Sequence, residues 1–141
     1  MITHTGHCHC RAIGFGYTTE IAPSKWSVRA CQCRFCRQHD ALSASDPNAT
    51  LGFSATRDDC LQRYRFGLKT ADFLLCRQCG VYIGAVIETA GRRFGIINTH
   101  ALDEQPADIA APGSIHYDGE QIADRVDRRE RVWTPVTTVP W

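Results

Sequence analysis

Seven of the eight cysteines fall into three tight groups, Cys8-x-Cys10, Cys31-x-Cys33-x2-Cys36 and Cys76-x2-Cys79, and this clustering constrains the fold more than any other feature of the chain. Cysteines so close in sequence do not easily bridge one another at normal Cα separations, whereas a tetrahedral metal with sulfur at about 2.3 Å accepts so tight a turn. The start, Met1-Ile2-Thr3-His4-Thr5-Gly6, has neither a basic n-region nor an apolar h-region, so the expected location is the cytoplasm. In a reducing compartment, eight thiols are explained by metal binding, catalysis or burial rather than by a disulfide framework.

Cys76-Arg77-Gln78-Cys79-Gly80 has the form of a zinc knuckle, two cysteines flanking a tight turn with glycine where a positive φ is often required. Cys8 and Cys10, two apart on a strand that continues through Ala12 to Tyr17, share a face and complete a four-cysteine set. Such a set is closed and predicts a structural zinc, with His7 and His9 pointing away as surface or supporting groups. Cys31, Cys33 and Cys36 are left with three thiolates, and three protein ligands plus a vacant position is the pattern of a catalytic zinc. Two residues could close that vacancy, Cys60 from a distance or His39 from the first helical turn, and spacing leaves the open and closed readings equal. Closed, the protein is a non-catalytic zinc-binding scaffold or a thiol and redox-sensing module. Cys60 otherwise reads as a small buried apolar residue.

The ligand type narrows the chemistry of the open reading. Three thiolates blunt the Lewis acidity of zinc, which disfavours activation of water and favours activation of a bound substrate thiol. Arg34 and Arg37 are candidates to bind a substrate carboxylate, or are ordinary exposed arginines. All-thiolate ligation favours zinc, with iron the main rival.

A chain of 141 residues fits one domain, 1–141, with a less defined tail from about 118. No apolar run approaches the length needed to cross a bilayer. A net charge of +1 argues against a general nucleic-acid binder. In the one basic segment, Arg125, Arg128, Arg129 and Arg131 alternate with Asp124, Asp127 and Glu130, which reads as a solvated face laced with ion pairs. Short apolar runs at 12–17, 26–30, 51–53, 61–66, 73–75, 81–87, 94–97 and 115–117 are strand-length, and one or two helical turns fit Phe35 to about Ser43. The expected fold is mainly β, a small antiparallel domain organised by two zinc sites with short helical turns. The apolar, aromatic tail from Val132 to Trp141 packs back on the domain or on a second subunit, so a homo-oligomer is one expectation.

The ordered set Gly6-His7-Cys8-His9-Cys10, Cys31-Gln32-Cys33-Arg34-Phe35-Cys36-Arg37, Cys76-Arg77-Gln78-Cys79-Gly80 and Asn98-Thr99-His100-Ala101-Leu102-Asp103 resembles the glutathione-dependent formaldehyde-activating enzyme family, which includes the centromere protein V group. The resemblance implies a β-rich, tent-like domain with two zincs. Cys8, Cys10, Cys76 and Cys79 would bind the structural ion, and Cys31, Cys33 and Cys36 the catalytic one. The implied activity is condensation of formaldehyde with glutathione, classed as a carbon–sulfur lyase for the reverse direction. The chain departs from the family pattern where Ala41, preceded by His39 and Asp40, replaces a usual glycine, and where Val81 rather than threonine follows Gly80. Both departures bear on the substrate pocket and leave the ligand cysteines intact.

Overall fold

The sequence Ile13-Gly14-Phe15-Gly16-Tyr17 places its large apolar side chains two apart, and a strand sends all three to one buried face. The same logic builds most of the molecule. The computed structural model describes residues 1–141. The chain runs β1 (Ile2–His7), β2 (Ile13–Thr19), β3 (Arg29–Cys31), α1 (Arg34–Gln38), β4 (Ser43–Ala44), β5 (Thr50–Ala55), β6 (Leu61–Tyr64), β7 (Asp72–Cys76), β8 (Tyr82–Thr89), β9 (Arg92–Asn98), β10 (Gly113–Ile115), α2 (Ile122–Val132) and β11 (Thr134–Thr138). The fold is mainly β, as expected. No helix is long and apolar enough to cross a membrane.

β9 is the hub. It pairs antiparallel with β8 along its length, and its other partners are β11 near Phe94 and β4 near Ile97. One wing extends through β11 to β5, β2 and β1, a second through β8 to β7 and β6, and a short flap runs from β4 to β3 and β10. The pairing is antiparallel except for β10 on β3 and β11 on β5. Phe15, Tyr17, Leu51, Phe53, Ile83 and Ile97 anchor the larger core cluster. A second cluster gathers Cys36, Phe73, Tyr82, Phe94 and Trp133 beneath α1.

Four local expectations change. The strand expected over 26–30 shrinks to β3, because Pro23–Lys25 forms a 3-10 turn and Trp26 drops into the core with its Nε1 donating to Ile21 O at 2.9 Å. Cys8 and Cys10 lie in the loop joining β1 to β2 rather than on a strand, with Arg11 at φ 66° and Cys8 N donating to Ile13 O. The helical turns near 35–43 contract to α1, with Cys33 as N-cap. The Asp/Arg segment is an eleven-residue helix, α2, and it is not a solvated face: Arg129 is buried, while Arg131 does pair with Asp127 on the exposed side. The tail packs back on the chain itself. Trp133 is buried, β11 bridges β5 to the hub strand β9, and the Arg63 guanidinium lies 4.4 Å over the Trp141 ring.

Candidate metal centres and active-site cleft

Two turns far apart in sequence meet at the four-cysteine cluster. The β1–β2 loop carries Cys8 and Cys10, and the β7–β8 turn carries Cys76 and Cys79, with the four sulfurs within 4.8 Å of one another. Sulfur–sulfur separations of 3.7 Å for Cys8–Cys10 and 3.5 Å for Cys10–Cys76 approach the tetrahedral edge of about 3.8 Å that metal–sulfur bonds of about 2.3 Å require. Backbone amides are aimed at the sulfurs, Ile13 N at Cys8 Sγ and Cys79 N at Cys76 Sγ, each at 3.4 Å. Gly80 closes the knuckle at φ +81°, and its N–H donates to Cys76 O. The donor set therefore fits a thiophilic metal.

The resemblance motifs at either end of the chain meet here as well. His7 Nδ1 lies 2.8 Å from Asp103 Oδ2, Thr5 Oγ1 donates to the same carboxylate at 2.9 Å, and Arg11 reaches it at 3.3 Å. Burial raises the Asp103 carboxyl, but these partners outweigh it and hold the group below its ordinary value. Gly6 makes the approach feasible, since a Cβ there would sit 2.7 Å from Ala101 O. His7 thus pins the cysteine loop to the turn after β9, in keeping with the supporting role expected of it.

The three-cysteine cluster forms where β3 ends and α1 begins. Cys31 closes β3, Cys33 caps α1 and accepts from Cys36 N at 3.4 Å, and the three sulfurs lie within 4.8 Å of one another. Phe35 anchors the short helix, with its ring centroid 4.9 Å from those of Phe66 and Phe73 and 5.1 Å from that of Tyr82. Asn98 fixes its far end, accepting from Leu42 N and donating to Tyr82 O. Neither His39 nor Cys60 closes the cluster. His39 stacks on Phe35 and faces a separate depression with His100, while buried Cys60 sits beside Gln78 near the other cluster.

Without metal, the thiols share protons unevenly. Hydrogen bonds from Cys31 and Cys36, aided by backbone amides, hold Cys33 down at about 2, while the same sharing and then burial push Cys36 up. In the other cluster, burial raises Cys8 to about 12; at Cys79 burial acts upward too, but the Cys10 and Val81 amides and the neighbouring thiols win and bring it to about 6. A cysteine ligates as thiolate, so metal binding at either cluster releases protons and strengthens as pH rises.

A cleft of about 110 Å³ opens beside the three thiols, with Phe73, Ile96 and Trp133 as apolar wall. Its cations are Arg29 from β3 and Arg125, Arg128 and Arg129 from α2. Arg34 and Arg37, the arginines singled out in the sequence, are exposed and do not line it. The helical spacing 125, 128, 129 was the available signal for α2, masked because its inward positions are charged.

Fold and thiol clusters together define a mainly β protein with two cysteine sets able to hold metal. Residues 3–118 match the glutathione-dependent formaldehyde-activating enzyme family, and the chain belongs to it. It is also similar to a Rhodobacter sphaeroides protein of solved crystal structure, with 25% identity, a TM-score of 0.56, and coverage of 79% of this chain and 99% of that one. The family match ends before α2 begins.

Proposed function

We propose that the chain is a zinc-dependent carbon–sulfur lyase of the S-(hydroxymethyl)glutathione synthase type, which adds a glutathione-like thiol to a small aldehyde such as formaldehyde. In this reading Cys31, Cys33 and Cys36 hold a catalytic zinc, and Cys8, Cys10, Cys76 and Cys79 hold a structural one. The observation that carries it is the convergence of three sulfurs on a cleft wall with no fourth His, Cys, Asp or Glu ligand atom joining them. Zinc bound there supplies a lowered pKa for a substrate thiol and a fixed position for its sulfur.

The residues of the chain supply the surroundings. Phe73, Ile96 and Trp133 give the aldehyde an apolar berth beside the thiols, and confinement of both reactants replaces a bimolecular encounter. The thiol gives up its proton, a sulfur–carbon bond forms, the carbonyl π pair moves to oxygen, and that oxygen takes up a proton to give the hydroxymethyl thioether. Nothing is oxidised or reduced. A cytoplasmic setting keeps the ligand thiols reduced.

The zinc-loaded chain, mixed with glutathione and formaldehyde, is expected to form adduct faster than the spontaneous reaction, and Cys31→Ser is expected to abolish the acceleration. No acceleration at two zincs per chain would sink the proposal.

A further inference from the structure

We infer that α2 makes the cleft a carboxylate site, so that the thiol accepted beside Cys31, Cys33 and Cys36 is an acid whose carboxylate docks on Arg129. The inference rests on the proposed thiol chemistry for the sulfur end and on α2 alone for the acid end.

Arg129 is the central observation. It is 7% exposed and lines the cleft, and the chain offers its guanidinium one acceptor, Thr70 Oγ1 at 2.6 Å. Its Nε is buried with no partner, and its guanidinium carbon lies 4.7 Å over the Trp133 ring. A buried cation with unmet donors is costly unless something pairs with it. Its neighbours do not: Glu120 is engaged by Arg125 at 3.0 Å and by Arg128 at 2.8 and 3.1 Å. Arg29 donates to Ser45 Oγ at 2.8 Å, which carries no charge. Four guanidiniums line the cleft with one carboxylate, Asp118, and the thiols of Cys31, Cys33 and Cys36; Glu120 lies outside that lining and is shared by Arg125 and Arg128, so Arg129 has no carboxylate of its own. Burial and the nearby Arg128 and Arg125 lower Arg129 to about 10, consistent with a cation lacking its counter-ion yet charged at neutral pH.

Because α2 follows the family-matched residues, this selectivity for an acid belongs to the part of the chain that the match does not cover.

The test is calorimetric titration of the zinc-loaded, full-length chain with 3-mercaptopropionate, its neutral analogue 3-mercaptopropanol and thiol-free propionate. The acid thiol is expected to bind about tenfold tighter than the alcohol, the worth of one charge-assisted contact. Arg129→Gln is expected to erase the advantage of acid over alcohol, and Arg129→Lys to restore part of it. The wild-type comparison of acid with alcohol stands without either variant. Equal binding of the two thiols overturns the carboxylate site while leaving the thiol reading intact. If neither thiol binds but propionate does, in an Arg129-dependent way, the carboxylate site holds and the thiol reading fails.

Discussion

Asp40 carries a backbone conformation that most residues avoid. It follows α1 at φ +49°, and Ala41 N donates back to Cys36 O at 2.9 Å, the closure of a helix that ends on a left-handed residue. Glycine adopts this conformation without strain, and aspartate at a reduced cost of about 1 kcal/mol. The Asp40 side chain gains little in return, since its 3.7 Å contact with His100 is a solvent-exposed pair. Against the strain stands roughly 0.5 kcal/mol of extra chain entropy that glycine adds to the unfolded state. Asp40→Gly is therefore expected to stabilise the protein by about 0.5 kcal/mol, read as a higher urea midpoint at unchanged slope. Family resemblance marks Ala41 as a missing glycine, yet Ala41 is buried in the core beneath α1 and the left-handed turn falls one residue earlier. The residue identities were legible; which of them takes the turn depends on how α1 packs.

At the scale of elements, the cysteine spacings and short apolar runs anticipated most strands, because each of those strands buries side chains two apart. They did not anticipate α2. Its inward stripe is Arg125, Arg128, Arg129 and Val132, a helical i, i+3, i+4, i+7 pattern in burial that hydropathy cannot detect when three of the four positions are arginine. Polar contacts tie the helix to the segment just before it, with Glu120 as their focus and Arg128 stacked 3.6 Å over the Tyr117 ring, while Glu130 accepts from Thr89 Oγ1 of β8 at 3.0 Å. Hydrogen bonds from Arg128, opposed by burial and aided by Arg125, hold the Glu120 carboxyl below its ordinary value of 4.5. A depressed folded-state pKa contributes stability that is fully present above 4.5 and is lost as pH falls through the lower folded value. Glu120→Gln is therefore expected to cost about 1–2 kcal/mol at pH 7, and the wild-type and variant melting curves are expected to converge as pH falls from 4.5 through the lowered folded-state value. A gap that persists or widens in acid would show that Glu120 does not hold α2 through its charge.

For the whole molecule, the two thiol clusters occupy different mechanical positions, and this separates their consequences. Cys8 and Cys10 belong to the wing of β1, β2 and β5, while Cys76 and Cys79 belong to the wing of β6, β7 and β8, so one metal there joins the two wings. Cys31, Cys33 and Cys36 sit within six residues on the flap, and a metal among them ties only β3 to α1. A structural zinc in an all-cysteine site contributes apparent binding free energy of about 10–16 kcal/mol, comparable to or larger than the net stability of a domain this size, about 5–15 kcal/mol. Cys76→Ser is accordingly expected to unfold the protein at 25 °C, with loss of near-UV circular dichroism and of both zincs, in one transition because β9 couples the wings through β11 and β8. Cys31→Ser leaves the cross-wing centre intact and is expected to keep the native spectrum, one zinc per chain and a cooperative melt, while losing thiol binding. A folded Cys76→Ser protein would mean that the sheet alone carries the stability assigned to the metal. An unfolded Cys31→Ser protein would make the cleft-side centre structural, and the open coordination position on which thiol chemistry depends would lose its support.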